Sequence, residues 1–277
     1  MTDTEPVLHQ VSFERAEPEV ASDTDLLEHI LGTQDRMPGV RRIRDWARAE
    51  LSIRPGQTVV DVGCGLGTEL LELADLVGAH GMAYGIEPHP GLRGHALRRA
   101  AGREQVRIID GDAGALPLAA GSVDAVTCER VFQHLHDPQA AADEFARILT
   151  PGGRVVLIDT DWETFVVSVG RPGVVARAIA AFRRRLPNPR AGRLLRCQLA
   201  RAGLLVDPDV VGTLIVWSDE ALRAMELLRV QLEMAIADGT LTRDEADDFE
   251  SELIRAVDAG EAFCSVTMYG VLARKPG

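Results

Sequence analysis

One carboxylate and three glycines form the part of this sequence best suited to bind a ligand. Asp61 lies in a short apolar run, residues 58–62, and the glycines follow it at alternate positions: Gly63, Gly65 and Gly67. Glycine lets the backbone turn sharply and approach a ligand closely. Leucines then recur at helical spacing, which places a helix start with free N–H groups beside the turn. This order of strand, glycine turn and helix predicts a nucleotide-binding site.

The charge and the glycine spacing indicate which nucleotide binds there. Dinucleotide sites use the pattern G-x-G-x-x-G, whereas the spacing here is G-x-G-x-G. The Asp61 carboxylate would repel a pyrophosphate but attract a ligand with a positive centre and an ammonium group. Glu87, twenty residues past Gly67, ends a second apolar run and can accept hydrogen bonds from both ribose hydroxyls. Glu87 alone fits NAD equally well, but Asp61 and the tighter glycine spacing favour S-adenosylmethionine.

Strand-like and helical patterns alternate around these residues. The strand-like runs are residues 58–62, 82–86, 106–109, 123–128 and 153–158, and the helical patterns between them are residues 66–77, 90–101 and 138–149. This strict alternation is typical of the α/β class and predicts a Rossmann-like, doubly wound and mostly parallel sheet.

Four motifs follow one another along the chain, at residues 59–67, 85–88, 111–117 and 149–155. In this order they resemble the class I S-adenosylmethionine-dependent methyltransferases. Within this class, the chain is most similar to the methyltransferase type 11-like group. This group acts on small molecules and includes the ubiquinone/menaquinone-type enzymes. This resemblance implies methyl transfer to a small, partly apolar metabolite, in secondary metabolism and natural product biosynthesis.

The resemblance implies that the glycine turn holds the methionine part of the cofactor. Gly63 and Gly65 would bring the backbone close to it, and Asp61 would reach its ammonium group directly or through water. We expect Cys64 to pack beside the cofactor and not to act as a nucleophile, since its local sequence offers no partner base. The backbone carbonyl of Cys128, at the end of the fourth strand, would accept from the same amino group.

The adenosine part is assigned in the same way. The resemblance implies that Glu87, followed by Pro88 in the second motif, takes the ribose hydroxyls. It also implies that Asp112 accepts from the adenine amino group while the Ala113 N–H donates to the ring. The alternative for Asp112 is a turn or helix cap.

Catalysis leaves a weaker trace in the sequence, because transfer from a sulfonium mainly requires alignment and exclusion of water. A base is needed only where the acceptor must lose a proton. His134, after the fourth strand, is the first candidate because imidazole titrates near neutrality; the alternative is packing beside the cofactor. Asp161, after the fifth strand, is the second candidate and would hold a substrate hydroxyl or amine; the alternative is an ordinary polar loop.

We expect one methyltransferase domain over residues 1–277. Its parts are an N-terminal helical lid (1–50), a cofactor-binding core (51–160), a helical substrate cap (161–203 and 219–260) and final strands (204–217 and 263–273). Between residues 164 and 206 there are nine arginines and no Asp or Glu. These arginines would face an anionic substrate, or pair with acidic surfaces of this chain or of a second subunit, so a homodimer stays open.

Composition excludes several other classes of protein. The net charge of −12 argues against a general nucleic-acid binder. The four cysteines lie far apart without a CxxC pair, which argues against a zinc site or disulfide framework and suits a reducing cytoplasm. No apolar run approaches the roughly 18 residues of a membrane span. We therefore expect a cytoplasmic protein with a small-molecule partner, without metal, nucleic acid or membrane span.

Two other functions stay open at this point. The first is an RNA or protein methyltransferase, although the fourth strand ends in T-C-E-R and lacks the N-P-P-Y motif of many such enzymes. The second is a protein that binds S-adenosylmethionine without methylating, as a regulator or as a cyclase that uses the sulfonium charge. An NAD oxidoreductase is a third reading, which the glycine spacing disfavours.

Overall fold

The computed structural model describes residues 21–224 and 226–277. Part of the predicted lid, residues 1–20, lies outside this description. The described helices are α1 (Ala21–Arg36), α2 (Pro38–Leu51), α3 (Thr68–Val77), α4 (Pro90–Arg99), α5 (Pro138–Ile148), α6 (Pro172–Arg184), α7 (Ala191–Arg201), α8 (Asp219–Ala224), α9 (Glu226–Ala237) and α10 (Arg243–Ala259), with a 3₁₀ turn at Phe132–His134.

The strands form one sheet of mixed direction. They are β1 (Thr58–Val62), β2 (Met82–Ile86), β3 (Val106–Ile109), β4 (Val123–Glu129), β5 (Leu149–Val167), β6 (Leu205–Val216) and β7 (Cys264–Arg274). Their order is β3-β2-β1-β4-β5-β7-β6. Strands β1 to β5 pair in parallel, and β7 runs antiparallel to both β5 and β6. The predicted Rossmann-like, mostly parallel sheet is confirmed.

Helices cover both faces of the sheet, because each parallel strand alternates its side chains between two buried faces. In β1, Val60 packs into the apolar cluster that contains Phe145 of α5. Its neighbour Val59 packs into the opposite cluster, which contains Ile43 of α2 and Leu70 of α3. Alternating burial of this kind fixes the strand register. The parallel pairing of β1 with β2 and β4 directs their carboxyl ends to one edge.

The segment after the fifth strand differs from the predicted cap in two places. Strand β5 continues to Val167 instead of giving way to helix, because Val166 and Val167 pair with β7. Helix α7 lies against the sheet, where Leu195 and Leu199 are buried in the core. The helical cap therefore consists of α6, α8, α9 and α10, and the range 161–203 predicted for its first part was too broad.

The cap has an apolar interior of its own. Ala181 of α6, Leu232 of α9 and Phe249 of α10 are buried together. Helix α10 begins with a capping box: the Glu245 N–H donates to Thr242 Oγ1 at 3.2 Å, and the Thr242 N–H donates to Glu245 Oε2 at 3.1 Å. None of the described helices has the length and apolarity needed to cross a bilayer.

Candidate functional site

A cavity of about 1130 Å³ opens at the carboxyl ends of β1, β2 and β4, between the lid helices and the cap. Eight residues predicted to bind the cofactor line it: Asp61, Gly63, Cys64, Gly65, Glu87, Pro88, Asp112 and Ala113. The ninth, Cys128, is buried in β4 and is not part of the lining. From the lid, Gln34 of α1 and Met37 between α1 and α2 contribute to the wall.

The glycine turn has a backbone that other residues adopt only with strain. Gly63 and Gly65 have φ angles of +73° and +52°. A Cβ atom on Gly63 would lie 2.2 Å from the Cγ2 atom of Val131. The N–H groups of Gly63 and Cys64 both donate to the carbonyl of Ile86, at 2.7 and 3.1 Å. The turn is thereby fixed to the end of β2 and brought against the cavity.

Glu87 connects the glycine turn to the start of the next helix. Its Oε2 accepts from the Gly65 N–H at 2.8 Å, and its Oε1 accepts from the His89 N–H at 2.9 Å. Burial raises the pKa of this carboxyl, although the two backbone hydrogen bonds oppose the rise. Each carboxylate oxygen has a second lone pair, so Glu87 can accept from a bound diol while it holds the loop.

Asp61 is 4% exposed and lies in the floor of the same cavity. Burial raises its pKa well above the usual value, and the nearby carboxylates of Glu69 and Glu129 raise it further. Arg44 lowers it, but does not reverse the effect. A cationic ligand beside Asp61 would favour the ionised carboxylate, which is the charge complementarity that an ammonium group offers.

The loop after β3 places Asp112 at the rim of the cavity. Its Oδ1 accepts from the Gly114 N–H at 2.7 Å, and its carbonyl accepts from the Ala115 N–H at 3.1 Å. The carboxyl group thus forms the local turn that was the alternative interpretation. Because Asp112 is exposed and lines the cavity, its second oxygen can still accept from a ligand.

A buried ionic network joins the lid to the end of β4, and sequence reasoning missed it. Arg44 of α2 donates to Glu129 Oε2 at 2.5 Å and Oε1 at 3.0 Å, and lies 2.9 Å from the Asp35 carboxylate. Burial disfavours the charge of Glu129, but Arg44 and Arg130 outweigh it and lower its pKa to about 2. The network therefore holds a fully ionised carboxylate against the lid.

Arg130 follows Glu129 in a left-handed conformation, with a φ angle of +57° that is uncommon for a residue other than glycine. Its guanidinium lies 2.7 Å from Glu129 and also donates to Gln34 Oε1. The Nε atom is buried and has no hydrogen-bond partner in the described structure. A strained, cavity-lining arginine with a spare donor is suited to an anionic group of a ligand.

His134 and Asp161, the two predicted catalytic residues, have different surroundings. His134 lies in the 3₁₀ turn and lines the cavity. Burial, together with the charge of Arg130, lowers its pKa to about 4, so the imidazole is neutral at physiological pH. Asp161 does not line the cavity: its carboxylate is 1% exposed, accepts from the Glu163 N–H at 3.1 Å and pairs with Arg193.

Aromatic rings continue the cavity wall toward the cap. The indole N–H of Trp162 donates to Gln133 Oε1 at 2.6 Å, and its ring lies 4.6 Å from that of Phe182. Phe165 contacts Trp217 edge to face, with centroids 5.5 Å apart.

Most arginines of residues 164–206 form ion pairs on the protein surface. The pairs are Arg171–Asp248, Arg177–Glu245, Arg184–Asp238, Arg185–Asp238, Arg190–Glu163 and Arg193 with Asp161 and Glu163. The pairing interpretation is therefore confirmed for these residues. Arg185 differs from the others, since it alone in this segment also lines the cavity.

Comparisons with known proteins agree with this geometry. Residues 60–157 match the family model described as a methyltransferase domain. An uncharacterized 37.1 kDa protein in transposon TN4556 of Streptomyces fradiae is 33% identical over 267 residues, covering 95% of this chain and 73% of that protein. Demethylmenaquinone methyltransferase of Staphylococcus aureus is 28% identical over 148 residues, or 53% of this chain and 60% of that enzyme.

A solved structure extends the likeness over most of the fold. A putative sarcosine dimethylglycine methyltransferase from Galdieria sulphuraria superposes with a TM-score of 0.58 at 17% identity, covering 91% of this chain and 98% of that one. The chain belongs to the class I S-adenosylmethionine-dependent methyltransferases. Its cofactor is S-adenosylmethionine.

Proposed function

We propose that this enzyme methylates a small, partly apolar metabolite inside the cavity between the lid and the cap. The observation that carries the proposal is the continuity of one cavity. Asp61 and Glu87, which suit the cofactor, line the same space as Trp162 and Trp217, which suit an apolar acceptor. Donor and acceptor would then meet in a space that the cap shields from water.

We assign the cofactor to the residues whose chemistry fits its parts. The carboxylate of Asp61 would hold the ammonium group, and the spare Nε donor of Arg130 would hold the carboxylate of the methionine part. Glu87 would take the ribose hydroxyls, and Asp112 with the Ala113 N–H would take the adenine edge. When bound, S-adenosylmethionine supplies a methyl group on a sulfonium leaving group.

The protein's own contribution is positioning, with one candidate proton acceptor. His134 is neutral above a pH of about 4, and its place in the cavity wall allows it to accept a proton from an acceptor hydroxyl. We assign Asp161 a positioning role. Its carboxylate accepts hydrogen bonds from Arg193 and the Glu163 N–H, and the residue does not line the cavity. This differs from the catalytic role that the sequence predicted for Asp161.

Three sequence-based predictions are retained as part of this proposal. A cytoplasmic location follows from the spacing of the cysteines, and a homodimer remains a prediction that gel filtration would test. The natural-product role rests on the resemblance of the four motifs, and identification of the acceptor would decide it.

The decisive experiment incubates the protein with methyl-labelled S-adenosylmethionine and a metabolite extract. Label in a small product is the expected result. Label in RNA or protein would instead favour that other class of methyltransferase. Cofactor binding without any transfer would favour a regulator or cyclase, and absence of binding to both S-adenosylmethionine and S-adenosylhomocysteine by calorimetry would overturn the proposal altogether.

A further inference from the structure

One guanidinium in the cavity wall has an unused donor on the acceptor side. Arg185 follows α6 directly, and its Nη2 donates to the Met234 carbonyl and to Asp238 Oδ2, both at 2.7 Å. Its Nη1 is buried without a hydrogen-bond partner in the part of the chain that the structure describes. A buried donor without a partner costs free energy, which a ligand can recover.

A second unused polar atom lies in the wall of the same cavity, on α9. The Oε1 atom of Gln231 is also buried without a partner among the described residues. Gln231 is on α9, three positions before Met234, whose carbonyl holds Arg185, so one turn of helix presents both groups on the same side. Arg185 and Gln231 both line the cavity. Together they offer one cationic donor and one neutral acceptor.

The charge around Arg185 is not balanced. Arg184 lies 3.8 Å from the same Asp238 carboxylate that Arg185 contacts, so two guanidinium groups share one carboxylate. Arg184 is directed outward, with 58% of its side chain exposed, and also donates to Thr240. The excess positive charge therefore favours an anionic group at Nη1 of Arg185.

An apolar chamber shares part of its wall with the main cavity, including Gln231 of the polar pair. It has a volume of about 100 Å³ and is lined by residues that include Trp162, Phe182, Trp217 and Gln231, all of which also line the main cavity. The remaining wall is aliphatic and aromatic apart from Cys264, and comes from β5, α6, α8, α9, α10 and β7. A ring or short chain placed here would bury apolar area next to the polar pair.

We infer that the acceptor binds with an anionic oxygen (a carboxylate, phenolate or enolate) on Arg185 Nη1, a hydrogen-bond donor on Gln231 Oε1, and its apolar ring or chain in the chamber. This inference rests on the proposed function, because it assigns the substrate class of the same cavity. Arg185 and Gln231 determine specificity, and neither takes part in the methyl transfer itself.

The test measures binding of two probes of nearly equal shape, 2-naphthoate and the neutral 2-naphthamide, by calorimetry with and without saturating S-adenosylhomocysteine. Wild-type protein should bind the carboxylate about tenfold more tightly than the amide. Arg185→Gln should remove this preference by weakening naphthoate binding alone. Arg184→Gln is the matched control, since it makes the same charge change on the same carboxylate outside the cavity, and it should keep the preference.

Gln231→Glu provides a second test that does not depend on the fold tolerating the loss of Arg185. It keeps the side-chain size and places a carboxylate in the same cavity wall as the guanidinium, where it would repel an anionic probe, so naphthoate binding should fall about tenfold or more. Equal affinity of wild type for the two probes, or no wild-type binding of either, would overturn the inference. A preference for naphthoate that is retained in both Arg185→Gln and Gln231→Glu would also overturn it. The same holds if Arg184→Gln loses the preference to the same extent as Arg185→Gln. If the wild-type protein does not bind S-adenosylhomocysteine, the proposed function itself is overturned.

Discussion

Arg44 connects the lid to the carboxyl end of β4, and its removal should destabilise the fold strongly. The side chains of Arg44 and Glu129 are 10% and 9% exposed, and two hydrogen bonds join them. Arg44→Met keeps most of the apolar stem but leaves Glu129 and Asp35 without this partner. Breaking a buried ion pair costs about 3–5 kcal/mol. Because Arg130 still contacts Glu129, we expect the lower end, about 3 kcal/mol, at pH 7.

The pKa of Glu129 agrees in direction with this expectation, since Arg44 and Arg130 together lower it against the effect of burial. Its shift from 4.5 to about 2 corresponds to about 3 kcal/mol of stabilisation of the ionised form, to which Arg44 makes the largest favourable contribution. A lowered folded-state pKa stabilises the protein above the unfolded pKa of 4.5, and this stabilisation is lost as the pH falls toward 2. The difference in unfolding free energy between wild type and Arg44→Met should therefore shrink as the pH is lowered through this window.

Urea titration followed by circular dichroism measures the free energy of unfolding of wild type and of Arg44→Met, at pH 7 and at pH 4. Arg41→Met is the control, because Arg41 is exposed on the same helix and should change the free energy of unfolding by less than about 0.5 kcal/mol. A difference below about 1 kcal/mol for Arg44→Met at pH 7 would refute the reasoning, as would a difference that grows on acidification.

Three further predictions concern the cofactor and the proton acceptor. Glu87→Ala and Asp112→Ala should each weaken S-adenosylhomocysteine binding by about 1–3 kcal/mol in calorimetry, and unchanged affinity in both would remove our placement of adenosine. Gly63→Ala should lower cofactor affinity and melting temperature more than Gly102→Ala, since both φ angles are positive but only the Cβ at Gly63 meets another side chain within 4 Å; equal effects would contradict this. With an identified hydroxyl acceptor, His134→Gln should lower kcat about 10²–10⁴-fold, and the acid limb of wild-type kcat should lie near pH 4; an unchanged kcat would exclude His134 as the base.

The parts of the site that the sequence predicted are those set by local order. The glycine turn and the strand before it occupy residues 58–67, so their spacing alone defines a backbone that must approach a ligand. Glu87 and Asp112 end two other runs of the same repeating unit, and the sheet brings their loops to one edge. A repeating pattern of strand and helix is sufficient for this inference because Asp61, Glu87 and Asp112 each lie at or just after the carboxyl end of a strand.

Contacts between residues far apart in the chain could not be predicted from local sequence patterns. Arg44 and Glu129 are 85 positions apart, and neither belongs to a motif. The extension of β5 to Val167 depends on pairing with Cys264 and Ser265, near the other end of the chain, which overrides a locally helical pattern. The left-handed conformation of Arg130, between β4 and the lid, could not be predicted either, because the residue is not a glycine or another typical turn former.

The electrostatics of the cavity floor connect folding with function. Glu129 is held ionised by two arginines, whereas burial raises the pKa of Asp61 well above its usual value and that of Asp159 to about 7. Arg44 of the lid and Arg130 after β4 already pair with Glu129 and Asp35. Asp61 is therefore a cavity carboxylate whose charge is not offset, because Arg44 lowers its pKa without reversing the rise caused by burial. A cofactor with an ammonium group and a sulfonium centre supplies positive charge at this position, so binding should be coupled to ionisation of Asp61 and should strengthen as the pH rises through its pKa.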